Sequence, residues 1–345
     1  VMQQVDSIDI DVLVPYLEQH VLGFKGPATA EKFPGGQSNP TFKISAASGQ
    51  YVLRRQPPGK LLKSAHAVDR EYRVLNALND SAVPVAKVFH LCEDTEILGS
   101  MFYLMEYLPG RVFWDSALPE IADNAARARI HFQVVEVLAT LHSVNPADVG
   151  LEDYGRPGNY YQRQIDRWVT QYRASEMGTI DAMEELIVWL SAHVPADDGS
   201  LSIAHGDFRL DNLMFHPERE EIIAVLDWEL STLGHPLADL AYHCMQLRMP
   251  SQGLAMKGLA GIDAAALGIP SEKELVARYC EIRGIDPIVN WEFYLAFSFF
   301  RLAAIAQGVA KRASQGNASS KQAQTAGAFV QPLAASGMQI IKGGA

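Results

Sequence analysis

Three oxygen-bearing side chains stand out for their spacing: Asp207, Asn212 and Asp227, in the segment HGDFRLDNLMFHPEREEIIAVLDWE that runs from 205 to 229. Leu213 to Phe215 and Ile222 to Leu226 are apolar, strand-like runs on either side of the polar turn HPEREE, which predicts a hairpin folded about Glu218 and Arg219. Such a hairpin brings Asn212, at the start of one arm, opposite Asp227, at the end of the other. An amide oxygen and a carboxylate then converge. A hard cation such as Mg2+ takes a few oxygen ligands of this kind, keeps some waters and accepts the rest from substrate phosphates. Asp207 precedes Asn212 on the loop entering the hairpin, where a carboxylate is placed to accept the proton of an attacking hydroxyl. A general base and a partial metal shell thus share one stretch of chain.

Other elements must hold that stretch in place. Residues 8 to 22 predict a short N-terminal helix, followed by a loop. The run FPGGQSNPTFKIS and the segment Gln50 to Arg55 (QYVLRR) predict a glycine-containing hairpin. Ser64 is a candidate cap for a helical pattern reaching about Leu78, and strands are expected at Ala86 to Cys92 and Met101 to Tyr107. After Leu108-Pro-Gly110 the pattern becomes helical, near 123–143, 160–175, 179–193, 235–248, 271–283 and 290–313, interrupted by one β region at 203–228. Sheet first and helices later imply an α+β fold of two lobes: a small antiparallel-sheet lobe with one main helix over 1–107, and a larger, mostly helical lobe over 108–345. Ser314 to Thr325 is biased toward small polar residues.

Composition narrows the classes. A hydrophobic fraction of 48% with 20% charged residues belongs to an ordinary globular chain. A net charge of −11 with no basic stripe argues against a nucleic-acid partner. Cys92, Cys244 and Cys280 are far apart and form no CxxC pair, consistent with buried thiols in a reducing cytoplasm. The opening residues lack a basic region followed by an apolar core, so secretion is not expected. Trp291 to Ala306, the most apolar stretch, carries Glu292 and Arg301 and reads as a core helix, with no membrane span expected.

The order His205-x-Asp207-x4-Asn212 followed by Asp227 resembles the kinase catalytic loop and its metal-binding Asp. The wording HGDFRLDN, LDWE and GHPLADLA is similar to the aminoglycoside-phosphotransferase-like (choline-kinase-type) family of small-molecule kinases. More narrowly, the chain resembles the phosphotransferase domain associated with acyl-CoA dehydrogenases, from YVLRRQPPGKLLKSAHAVDREYRVL through GHPLADLA. The resemblance implies a bilobal protein-kinase-like fold and transfer of a phosphoryl group from ATP, or GTP, with Mg2+, to a small-molecule hydroxyl. It also implies structural roles for His205, packed beneath the loop, and for Asp239, bracing it. Where kinases read DFG this chain reads DWE, so Trp228 and Glu229 carry no Phe-driven switch. Glu229 is open to either a metal-side contact or a surface ion pair.

A phosphoryl-transfer site also needs a cation on the nucleotide and a partner to hold that cation. Strand alternation in QYVLRR puts Val52 and Arg54 on one face, where Val52 can roof an adenine and Arg54 can reach phosphate. Glu71 falls in the apolar helix stripe Val68, Glu71, Leu75, Leu78, and pairing with Arg54 offsets its burial, with Arg standing where kinases use Lys. Gly35, Gly36, Ser38 and Asn39 offer amides and donors to phosphates, and main-chain groups near Glu106 to Leu108 match a kinase hinge. Candidate acceptor walls are Arg163, Arg167, Trp168, Tyr242, Trp291 and Arg301, with Tyr160 and Tyr294. Arginines facing the acceptor favour an anion, and the narrow resemblance implies a hydroxyacyl-CoA or a hydroxy acid. An aminoglycoside or amino-alcohol kinase, and a nucleotide-binding pseudokinase, are the alternatives. A non-haem iron site built from His205, Asp207 and either His235 or His243 leaves Asn212 and Asp227 without a purpose.

Overall fold

The computed structural model describes residues 7–34, 39–57, 67–252, 256–315 and 326–343. Gly35, Gly36, Ser38, Ser64 and most of the small-polar stretch lie outside them. In chain order the first elements are α1 (Ile10–His20), β1 (Ala28–Lys32), β2 (Thr41–Ala46), β3 (Gly49–Arg55), α2 (Val68–Leu78), β4 (Val88–Cys92), α3 (Thr95–Leu98) and β5 (Phe102–Glu106). There follow α4 (Asn124–Ser143), α5 (Tyr160–Ser175), α6 (Asp181–Ala192), β6 (Ser202–Ala204), β7 (Leu213–Phe215), β8 (Ile222–Val225) and β9 (Thr232–Gly234). The last are α7 (Leu237–Arg248), α8 (Glu272–Arg283), α9 (Trp291–Ser314) and α10 (Gly327–Ile341). Strand β1, which the sequence leaves as loop, the short α3, β9 and α10 are additions to the expected set. The chain divides into two compact units, one of Val1–Phe113, Ala147–Leu151 and Asp211–Ser231, the other of Trp114–Pro146, Glu152–Leu210 and Thr232–Ala345.

The first unit is built on an antiparallel five-stranded sheet in the order β1-β2-β3-β5-β4. Its register sets Phe42 opposite Leu53 and Leu53 opposite Leu104, so these three side chains share one face. Leu13 and Leu17, one turn apart on α1, bury completely in the same apolar cluster with Ile44 and Phe102. Truncating either leucine to Ala is worth about 2–5 kcal/mol. Asp9 starts α1 by accepting the amides of Asp11 and Val12. Helix α2 begins at Val68 without a side-chain cap.

The hairpin of β7 and β8 forms as its alternation predicts, with Leu213 opposite Val225 and the turn closed from His216 N–H to the Glu221 carbonyl at 2.7 Å. Its position in the first unit is not readable from linear order. Phe215 exchanges backbone hydrogen bonds with Arg111, and Val225 N–H donates to the Pro84 carbonyl, so backbone pairing draws residues 211–231 into the sheet-bearing unit.

In the second unit α9 packs against α5, α6, α7 and α10, and α4 against α8. Helix α9 runs 24 residues, well past the apolar stretch seen in the sequence, and is long and apolar enough to cross a membrane. In its most apolar stretch 67% of the residues are buried, as in the core helix of a globular domain. Strands β6 and β9 pair antiparallel and frame the loop carrying Asp207.

Candidate active site

A cavity of about 410 Å³ opens in the first unit. Val52, Leu75, Ala86, Met105 and Met214 are among its apolar lining, and Arg54, Glu71, Asn212 and Asp227 among its polar lining. Gly110 also lines it: a Cβ there would collide with the Met214 side chain and the Phe215 carbonyl, so only Gly allows the chain to pass.

Val52 and Arg54 project from the same face of β3, two residues apart, and Arg54 stands opposite Tyr103 of β5. Arg54 Nε lies 2.7 Å from Glu71 Oε2, and its Nη2 lies 3.1 Å from Asp227 Oδ1 and 4.0 Å from Glu229 Oε2. Glu71 is 1% exposed. It accepts the Asn39 amide at 2.8 Å and the Tyr103 hydroxyl at 3.1 Å, so its burial is offset by donors on several sides. Burial pushes the Glu71 carboxyl upward against the pull of Arg54. Burial also acts to lower the Arg54 pKa, but Glu71, Tyr103, Asp227 and Glu229 outweigh it and raise the value, so the guanidinium stays charged.

Asn212 is buried at the start of β7, its carbonyl accepting Leu226 N–H at 2.8 Å, which sets it beside Asp227 across the hairpin. Asp227 adopts φ 60°, a left-handed conformation that Asp tolerates better than most residues and that is often found at functional sites. No group of three or more His, Cys, Asp or Glu is arranged to hold a metal among the described residues. Asn212 and Asp227 line the same cavity, and one amide oxygen with one carboxylate is a donor pair that could hold a hard cation together with phosphate oxygens. Glu106, Tyr107 and Leu108 line the same cavity. The Glu106 N–H donates to the Lys87 carbonyl, and its side chain accepts the Lys87 N–H, so of the Glu106 groups these two are engaged within the sheet.

In the second unit, Asp207 follows Gly206, whose φ of 87° favours glycine. His205 is fully buried, and its Nδ1 accepts the Asp207 N–H at 3.2 Å. Asp239, in the first turn of α7, accepts the N–H groups of His205 at 2.7 Å and Gly206 at 2.9 Å. Arg209 Nε lies 3.1 Å from Asp207 Oδ1, a contact the sequence reading missed although the two residues are neighbours on the loop. Burial raises the Tyr242 hydroxyl pKa, and Asp207 adds to the effect through charge and a hydrogen bond. Arg301 donates to the Gly206 carbonyl at 2.7 Å and lies over the rings of Trp168, at 5.7 Å, and Tyr242, at 5.2 Å. Arg167 covers Trp168 at 5.4 Å. Burial moves Tyr160 up to about 12, opposed by Arg301, Arg167 and Arg163.

The other proposed acceptor walls have different neighbours. Arg163 donates to the carbonyls of Arg156 and Pro157, and Trp291 donates to Glu272 at 2.8 Å beside a separate groove. Trp291 stands ten residues from Arg301 on α9, about 15 Å along the axis. Among the described residues no three His, Cys, Asp or Glu side chains are grouped to hold a metal, so neither His235, which lies 3.5 Å from Asp198, nor the buried His243 completes an iron site with His205 and Asp207.

Sheet, hairpin and catalytic-type loop together define a kinase-like phosphotransferase. A model of the phosphotransferase enzyme family matches residues 29–274, and the chain belongs to that family. A curated relative, acyl-CoA dehydrogenase family member 10 of Mus musculus, is 48% identical over 330 residues, which cover 95% of this chain and 31% of that protein. The chain thus spans about a third of that relative's length. A solved structure of a putative aminoglycoside phosphotransferase from Ralstonia eutropha is 47% identical with a TM-score of 0.90, over 97% of this chain and 99% of that one. Spectinomycin phosphotransferase APH(9)-Ia, solved with ADP and spectinomycin, shares the α+β protein-kinase-like fold at 14% identity, with a TM-score of 0.63 over 96% of this chain and 99% of that one.

Proposed function

We propose that this chain transfers the γ-phosphoryl group of ATP, bound with Mg2+, to the hydroxyl of a small anionic acceptor. The observation that carries the reading is Arg54, held by Glu71 at 2.7 Å and turned toward Asp227 at 3.1 Å within the wall of one cavity. That arrangement fixes a permanent cation beside the two oxygen donors of the hairpin, as phosphate recognition requires. Val52 and Met105 offer the apolar walls that an adenine ring takes. The ADP in the spectinomycin phosphotransferase structure favours an adenine over a guanine nucleotide.

Asn212 and Asp227 are the residues that would hold magnesium, which when bound supplies neutralising charge to the phosphates. Asp207 takes the proton of the acceptor hydroxyl as the acceptor oxygen forms a bond to the γ-phosphorus and the bond from that phosphorus to the β–γ bridging oxygen breaks, releasing ADP. Arg209 and Arg301, with Arg167 stacked on Trp168, gather positive charge around the Asp207 loop. Since Arg209 is paired with Asp207, Arg301 and Arg167 are the cations left to favour an acceptor that carries a carboxylate or phosphate. The mouse relative's name connects such domains with acyl-CoA chemistry, which favours a hydroxyacyl-CoA, or the free hydroxy acid, as acceptor.

The test is a mass-spectrometric product screen with Mg-ATP and Mg-GTP against hydroxyacyl-CoA esters, hydroxy acids, amino alcohols and aminoglycosides, with Asp207→Asn alongside. Phosphorylated esters or acids, lost in the variant, are the expected result. Products from aminoglycosides alone would overturn the acceptor class. Tight Mg-ATP binding without any product would favour a nucleotide-binding module.

A further inference from the structure

Three buried side chains, from three helices, form one hydrogen-bonded chain that ends on the backbone of the Asp207 loop. The Tyr279 hydroxyl of α8 meets Nδ1 of His142, near the end of α4, at 2.7 Å. His142 Nε2 meets Asp239 Oδ2 at 3.2 Å, and Asp239 receives the N–H groups of His205 and Gly206. All of these side chains are essentially sealed from solvent. An ionised Asp239 has only acceptors, so Nε2 of His142 carries the proton, and Nδ1 is left to accept from the Tyr279 O–H. One tautomer satisfies every member of the chain.

Packing alone does not call for this arrangement, because apolar residues of similar volume would fill the space without the cost of burying polar groups. What the network adds is direction. A carboxylate gripped from behind by an oriented imidazole holds two consecutive amides of the loop, and His205 then holds the amide of Asp207 itself. We infer that His142 and Tyr279 are positioning residues for Asp207: they touch no reactant, and they set the loop that presents the carboxylate. This inference rests on the reading of Asp207 as the base.

The test compares the full-length chain with His142→Leu, His142→Gln, His142→Asn, Tyr279→Phe and Asp207→Asn. Two quantities are read: hydrogen exchange of peptides spanning 202–209, and kcat for hydrolysis of Mg-ATP with water as the acceptor, which needs no knowledge of the natural acceptor. Gln can place an amide donor where Nε2 stood, whereas Asn can reach only the Nδ1 position. A misplacement of about 1 Å costs on the order of 100-fold in rate, so His142→Leu and His142→Asn should lose about that much kcat with little change in KM for ATP. His142→Gln should stay within about tenfold of the parent, and Tyr279→Phe should fall between. Faster exchange should be confined to the loop. Unchanged loop exchange in His142→Leu would overturn the inference, as would Leu outperforming Gln, which is the order a packing role gives. If Asp207→Asn hydrolyses ATP like the parent, the base assignment fails separately, and loop exchange still decides whether His142 holds the loop.

Discussion

Glu71 anchors Arg54: the two side chains lie 2.7 Å apart, and the carboxylate is the more deeply buried of the pair, at 2% side-chain exposure against 15%. The guanidinium is therefore held in place from inside the first unit before any nucleotide arrives. Breaking a buried pair by removing one partner costs about 3–5 kcal/mol. Asp227 and Glu229 remain near Arg54, so Glu71→Ala should lie at the low end, about 3 kcal/mol, read as a shift of the urea midpoint at constant slope. Glu71→Gln, which keeps an oxygen for Tyr103, should cost less. KM for ATP should rise in both variants.

Arg54→Lys separates charge from shape. The forked guanidinium serves Glu71 through Nε and Asp227 through Nη2, whereas an ammonium is a single point on a flexible stem. Keeping one of two ion contacts should raise KM for ATP by about tenfold, or 1.4 kcal/mol, and Arg54→Met should raise it further. A lysine variant with unchanged KM would show that the fork is not used.

Metal dependence follows from the hairpin. If Asn212 and Asp227 hold magnesium, chelation with EDTA should abolish both product formation and the thermal stabilisation given by ATP. Asp227→Asn should raise the magnesium concentration for half-maximal rate and lower kcat/KM by about 100-fold, since a metal contributes several kcal/mol of charge stabilisation. Normal magnesium dependence in this variant would remove Asp227 from the metal shell.

Much of this was written in local sequence. The alternation of QYVLRR fixed the partition of Val52 and Arg54 from Leu53, and Glu71 betrayed itself as a carboxylate in an apolar stripe. The hairpin could be drawn from two apolar runs and a polar turn. Contacts made by distant segments could not. Tyr103 reaches Glu71 only because β3 and β5 pair with Arg54 opposite Tyr103, a register no single strand encodes. Tyr279 and His142 are 137 positions apart, and nothing local distinguishes that histidine from any other near a helix end. Strand β1, with its ATAEK sequence, owes its form to pairing with β2 rather than to strand propensity.

His243 gives the last prediction. Its two ring nitrogens have no hydrogen-bond partner among the described residues, and the side chain is fully buried on α7. Burial, with some repulsion from His131, lowers its pKa to about 3, and burial lowers that of His131 to about 4, although the Ser116 carbonyl opposes this. Both therefore stay neutral in the fold where an unfolded histidine, ordinarily near 6.5, takes up a proton. The unfolded state binds more protons below that value, so stability must fall as pH drops from about 6.5 toward about 4, by about 1.4 kcal/mol per unit for each histidine. Replacing an unpaired buried ring by an apolar group of similar size is neutral or stabilising. His243→Leu should therefore match or exceed the parent at neutral pH and gain about 1–2 kcal/mol on it near pH 5, with roughly half the acid slope of the histidine pair removed. Urea unfolding at a series of pH values measures both quantities, and an acid limb as steep as the parent's would show that His243 is charged, or paired, in the folded chain.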